Sequence, residues 1–194
     1  MANGKRTVFL DRDGTVSIDR GYTCRPEDMR IYPGAGRAVA RLKEAGFQVA
    51  IVTNQSAIGR GMASAEAVER TNDECLRQLL EEAPAAKVDW VAYCPHSPED
   101  NCECRKPKTG MVNNLPWAPA TSESWLVGDK FSDLRFGLNL GIPPQQCLLV
   151  LTGDGKAELD QCRGMIGPAL RIAADLTEAA AIIGSSGRTD ETED

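Results

Sequence analysis

The chain has no run of eighteen or more apolar residues, which excludes a helix long enough to cross a bilayer. It also lacks a surplus of positive charge. A formal net charge of −6 over 194 residues repels polyphosphate backbones across most of the surface, so no nucleic-acid partner and no membrane partner is expected. Any phosphate ligand must meet a local cationic pocket. Histidine is nearly missing, with a single residue at His96. No internal repeat and no low-complexity block precedes the polar end at 185–194. The Gly34-Ala35-Gly36 pair neither follows a strand directly nor has the third glycine of a dinucleotide-binding fingerprint, so helix initiation explains it better. Thr7 to Leu10 is too short to serve as the apolar core of an export signal.

What is present describes an ordinary globular protein, 42% apolar and 26% charged. The length suits one domain, 1–184, followed by a tail, 185–194, whose polarity predicts disorder. Seven cysteines is an odd count, and three of them crowd with His96 into one short loop. That pattern suits a reducing compartment and metal binding better than disulfides, so a cytoplasmic location is expected. Short loops without an apolar seam predict a monomer.

Short apolar runs alternate with helical periodicity. Thr7–Leu10 reads as a buried strand running into Asp11-Arg12-Asp13-Gly14. Pro33 and Gly34 open a helix carrying Ala38, Val39 and Leu42, closed by Gly46. A second strand, Phe47–Val52, ends in Thr53-Asn54-Gln55-Ser56, and a helix from Ser64 to about Glu82 follows until Pro84 stops it. Val88–Tyr93, Ser124–Val127 and Leu148–Leu151 read as further strands, with helical material in the intervals. The expected fold is α/β, a doubly wound parallel sheet covered on both faces.

In such sheets the active site lies beyond the carboxyl ends of the strands, so the polar strand exits should converge. They supply Asp11 and Asp13, then Thr53 to Ser56, then Asp129 with Lys130 and Asp133, while Lys106 offers positive charge. Clustered carboxylates repel one another unless a cation joins them, and oxygen ligands without nearby histidine point to magnesium. Asp11 at the strand exit is the candidate nucleophile and Asp13 the candidate proton donor and acceptor. A calcium loop starting at Asp11 would need a carboxylate at its twelfth position, where Tyr22 stands. Cys94, His96, Cys102 and Cys104 make a complete tetrahedral set for a structural zinc ion. Arg105 beside that loop reads as a fork for a second anionic group or as a surface ion pair, and Tyr22 as a pocket wall or loop packing.

The run Val8 to Thr15, with Thr53-Asn54-Gln55, Arg105-Lys106-Pro107, and Gly128-Asp129-Lys130 with Asp133, resembles the haloacid dehalogenase superfamily of phosphatases over about residues 7 to 155. The resemblance implies Asp11 as nucleophile and Asp13 as general acid/base, with its backbone carbonyl on the magnesium ion. It implies Thr53 and Lys106 as phosphate clamps and Asp129 as a magnesium ligand. No insertion is large enough for a cap domain. Within the superfamily, Asp19-Arg20-Gly21-Tyr22, Thr53 to Ser56, and Lys108-Thr109-Gly110-Met111 resemble the heptose bisphosphate phosphatases. That implies a phosphorylated sugar as substrate, contacted by Asp19, Arg20, Gly21, Tyr22, Thr53, Asn54, Gln55, Ser56, Arg105, Lys106 and Lys130. The short cysteine loop also resembles histidinol-phosphate phosphatases, which usually carry aspartate where Ser56 stands. A non-catalytic sugar-phosphate-binding module is the alternative of another class.

Overall fold

The computed structural model describes residues 4–186. Six strands form one fully parallel sheet in the order β3-β2-β1-β4-β5-β6, with β1 Thr7–Leu10, β2 Gln48–Asn54, β3 Trp90–Cys94, β4 Trp125–Gly128, β5 Cys147–Val150 and β6 Arg171–Ala173. Five α-helices accompany it: α1 Ala35–Glu44, α2 Ala65–Glu82, α3 Phe131–Asn139, α4 Gly155–Ile166 and α5 Leu176–Ser186.

The two-residue period of a strand sorts the core into two layers. Val8, Leu10, Val49, Ile51, Trp125, Val127, Leu148 and Val150 join one cluster with apolar residues of α1, α2 and α5. Phe9, Ala50, Val52, Leu126, Cys147 and Leu149 face the other way, onto Leu134 and Phe136 of α3 and Cys162 of α4. Both faces are therefore dry, as a parallel sheet requires.

Helix boundaries follow local chemistry. Gly34 precedes α1 with φ +90°, and Gly46 follows it with φ +83°, a region that side chains avoid. Ser64 caps α2 by accepting from Ala67 N at 3.2 Å.

The structure departs from the expected elements at several places. β2 continues through Thr53 and Asn54, and β3 begins at Trp90 and takes in Cys94. No α-helix fills the interval between β3 and β4; short 3-10 turns at Pro98–Asp100, Gly110–Asn114 and Thr121–Glu123 stand there instead. The cysteine loop does a helix's work at that place, because Cys102, Cys104, Met111, Val112 and Leu115 pack into the second core layer. β6 went unforeseen because three residues with an exposed arginine carry no readable apolar run. Ser185 and Ser186 belong to α5 rather than to a tail, and the rest of the expected tail lies outside the described residues. No helix among the described residues is long and apolar enough to cross a membrane.

Candidate active site

Strand order reverses between β1 and β4, and this is where the acidic residues meet. Ligand oxygens of Asp11, Asp129 and Asp133 all lie within 4.8 Å of one another, and all three residues are buried. Lys106 joins them with a side chain 2% exposed. Its Nζ donates to Asp11 Oδ1 at 2.6 Å and to the Val52 carbonyl at 2.8 Å, and pairs with Asp133 Oδ1 at 2.7 Å. Burial pulls the lysine pKa down, yet attraction to Asp11 and Asp133 outweighs it and the ammonium is held charged.

One ammonium does not neutralise three carboxylates. Burial, together with the nearby Asp133 and Asp129, pushes the Asp11 carboxyl well above its ordinary range, although Lys106 opposes the shift. Burial and Asp133 push Asp129 up to about 7, against the Asp154 N–H that donates to its Oδ2 at 2.9 Å. A buried, under-compensated set of hard oxygens fits a divalent cation of the magnesium type.

Local structure holds this cluster tightly. Gly14 has φ +93°, and a Cβ there would run into the Asp129 carboxylate. Asp133 accepts from Lys130 N at 3.0 Å, so one residue both caps α3 and pairs with Lys106. Thr15 Oγ1 donates to Asp129 Oδ1 at 3.4 Å, and Thr152 Oγ1 donates to the Gly14 carbonyl at 2.6 Å. Asn54 Oδ1 accepts from Lys106 N at 3.0 Å, tying the lysine loop to the end of β2.

The Asp13 carboxylate lies apart from the three-carboxylate cluster. Arg12 holds it at 2.8 Å, and Gln55 Nε2 donates to its Oδ2 at 2.8 Å and to Thr53 Oγ1 at 2.8 Å. A cavity of about 220 Å³ opens here, lined by Asp13, Asp19, Gly21, Tyr22, Asn54, Gln55, Ser56, Arg105, Lys130 and Ser132. Lys130 Nζ reaches Asp19 Oδ2 at 3.1 Å and Asp154 Oδ2 at 3.3 Å, bridging two loops. Thr53 is buried below, and Arg20 is exposed and does not line the cavity.

Sequence reasoning left the side chain of Asp133 without a metal-site role, although it stood in the matched motif. Thr15 stood in the matched motif without a role, and Thr152 and Asp154 went unmarked. No chemical signal marks such a role, since these residues orient neighbours through contacts between elements far apart in the chain.

Cys94, His96, Cys102 and Cys104 present ligand atoms within 4.8 Å of one another. The Sγ–Sγ distances are 3.1 Å for Cys94–Cys104 and 3.5 Å for the other two pairs, and His96 Nδ1 is 3.2 Å from Cys104 Sγ. Zinc–sulfur bonds of about 2.3 Å in a tetrahedron demand sulfur separations near 3.8 Å, which the two 3.5 Å pairs approach and the Cys94–Cys104 pair falls short of. Burial raises the Cys102 thiol, but hydrogen bonds from Cys104 and Cys94 prevail and bring it down to about 7. Arg105 Nη1 donates to the His96 carbonyl at 3.2 Å, so the loop also aims the arginine at the cavity.

A parallel sheet that gathers buried carboxylates and a lysine at its switch point is the arrangement of an α/β hydrolase with an acidic site. A model of the HAD-hydrolase-like family matches residues 103–179. A D-glycero-beta-D-manno-heptose-1,7-bisphosphate 7-phosphatase of Haemophilus ducreyi is 39% identical over 164 residues, covering 79% of this chain and 86% of that protein. The Neisseria meningitidis serogroup B protein of the same name is 38% identical over 159 residues, covering 80% and 82%. A crystal structure of D,D-heptose 1,7-bisphosphate phosphatase from B. bronchiseptica, complexed with magnesium and phosphate, superposes with a TM-score of 0.82 at 31% identity over 93% of this chain and 99% of that one. The chain belongs to this family of HAD-like phosphoric monoester hydrolases.

Proposed function

We propose that the protein hydrolyses the 7-phosphate of D-glycero-D-manno-heptose 1,7-bisphosphate. The observation that carries the reading is the buried cluster of Asp11, Asp129, Asp133 and Lys106 beside a polar cavity, in a chain 39% identical to a phosphatase of that substrate. Asp11 and Asp129 would hold magnesium, with Asp133 adjoining them and the Asp13 backbone carbonyl as a further ligand. When bound, that ion offsets phosphate charge and keeps the carboxylates ionised.

Lys106 grips Asp11 Oδ1, which leaves Oδ2 as the attacking atom. An Oδ2–phosphorus bond forms, the ester P–O bond breaks, and Asp13 passes a proton to the departing alkoxide. In the second half Asp13 takes a proton from water, the water oxygen bonds phosphorus, and the Asp11–phosphorus bond breaks. Thr53 and Lys106 steady the phosphoryl oxygens. Arg105 and Lys130 offer the remainder of the substrate two cationic contacts, one a planar fork. Asp19, Gly21, Tyr22 and the Asn54 to Ser56 turn would shape the sugar subsite, with Arg20, exposed between Asp19 and Gly21, as a further substrate contact.

Cys94, His96, Cys102 and Cys104 would hold a zinc ion. Four protein ligands leave no open position, which suits a structural site.

A phosphate-release screen with magnesium over sugar bisphosphates, sugar monophosphates and histidinol phosphate tests the reading. Preference for the heptose bisphosphate is expected. A strong preference for histidinol phosphate would transfer the assignment to that substrate, and tight sugar-phosphate binding without phosphate release would make the chain a binding module.

A further inference from the structure

We infer that Arg12, held by Asn72, is a positioning residue for the carboxylate of Asp13, an inference that rests on the reading of Asp13 as general acid and base. Arg12 is completely buried at 0% exposure. A guanidinium cannot shed its charge, so burying one is costly unless its donors are paired. Here they are. Nε donates to Asp13 Oδ1 at 3.1 Å and Nη2 to Asp13 Oδ2 at 2.8 Å, a two-pronged grip that fixes the carboxylate plane. The guanidinium is itself fixed: Nη1 donates to Asn72 Oδ1 at 2.6 Å and Nη2 to the Thr23 carbonyl at 3.0 Å.

Asn72 sits within α2, 7% exposed, among the residues that helix buries. Asparagine is a weak helix former, and a buried amide needs a partner. Arg12 is that partner. Thr23 ends the loop whose Asp19, Gly21 and Tyr22 line the cavity. Arg12 thus links β1, α2 and the cavity loop, and all three converge on Asp13, whose side chain is 14% exposed where it meets the cavity. A proton donor must lie within hydrogen-bond reach of the leaving oxygen, and an error of about 1 Å costs on the order of a hundredfold in rate.

The test compares leaving groups. Release of the sugar from heptose bisphosphate requires protonation of an alkoxide, whereas nitrophenolate leaves p-nitrophenyl phosphate unaided. Single-turnover release is measured for the wild type, Asn72→Ala, Arg12→Lys and Asp13→Asn. Alanine is a better helix former than asparagine, so Asn72→Ala preserves α2 and decides the matter if Arg12→Lys fails to fold. We expect Asn72→Ala to lose about tenfold or more on the sugar and less than about threefold on the aryl ester. Equal losses on both substrates, or no loss on either, would overturn the positioning role. Asp13→Asn separates the two readings: if it also loses equally on both, the acid–base assignment itself fails. A selective loss in Asp13→Asn without one in Asn72→Ala would remove the positioning role alone.

Discussion

Lys106 stands between two buried carboxylates as their shared counter-charge. Its ammonium, 2% exposed, contacts both Asp11 and Asp133. In Lys106→Met the carboxylates stay buried without their counter-charge, so the chain should lose about 3 kcal/mol or more at neutral pH. Asp11 already titrates well above the usual range through burial, and losing Lys106 raises it further. A carboxyl with a raised folded-state pKa supports folding at low pH and loses that contribution as pH rises. The penalty should therefore shrink near pH 5, which urea denaturation at the two pH values will show, and an equal penalty at both would contradict the charge argument. At the residue scale the sequence disclosed charge-bearing chemistry readily. Asp11 and Asp129 were visible as polar groups following apolar strands and Lys106 as the positive charge after the cysteine loop, and the structure brings them together. The separate orientation of Asp13 was not visible, because it depends on Asn72, sixty residues from Arg12 in the chain.

In the segment between β3 and β4, loop side chains packed on the sheet take the place of a helix. That segment's only helical pieces are 3-10 turns, yet Cys102, Cys104 and Met111 seal the sheet face there. The clustering of Cys94, His96, Cys102 and Cys104 was legible, since cysteine and histidine spacing is a local signal. It gave no sign that a helix would be missing, because covering a sheet face is a tertiary requirement. Purified protein should contain about one equivalent of zinc, and chelation should lower its melting temperature and promote aggregation, as closed sites contribute directly to folding. Reduced, never-chelated protein without zinc would refute the assignment. The turn after β1 is similarly exacting: Gly14→Ala should destabilise the chain by about 1–3 kcal/mol from its φ of +93° alone, with further loss from the Asp129 collision. Wild-type thermal stability in that variant would show that the turn tolerates a side chain.

Across the whole molecule, the fold and the charge distribution are two parts of one arrangement. Six parallel strands bring polar exits from β1, β2 and β4 to one end, while two dry core layers keep that end's carboxylates out of water. Desolvation is the first cause of the raised Asp11 and Asp129 values, and it makes divalent-ion binding compete with protons. The stability that Asp129 gives the metal-free chain is present below its unfolded-state value and fades as pH rises through about 7. Magnesium should act in the opposite sense. At saturating ion its stabilisation, about 3 kcal/mol or roughly 6–12 °C, should appear near pH 8 and largely vanish near pH 5.5 in thermal melts. A pH-independent magnesium effect would place the ion elsewhere. The proposed reaction is covalent, with a carboxylate oxygen of Asp11 bonding to phosphorus during turnover. Rapid acid quenching of a single turnover with phosphorus-labelled heptose bisphosphate should leave label on the Asp11 peptide of the wild type and none on Asp11→Asn. Full turnover with no label on that peptide, or undiminished turnover by Asp11→Asn, would contradict it.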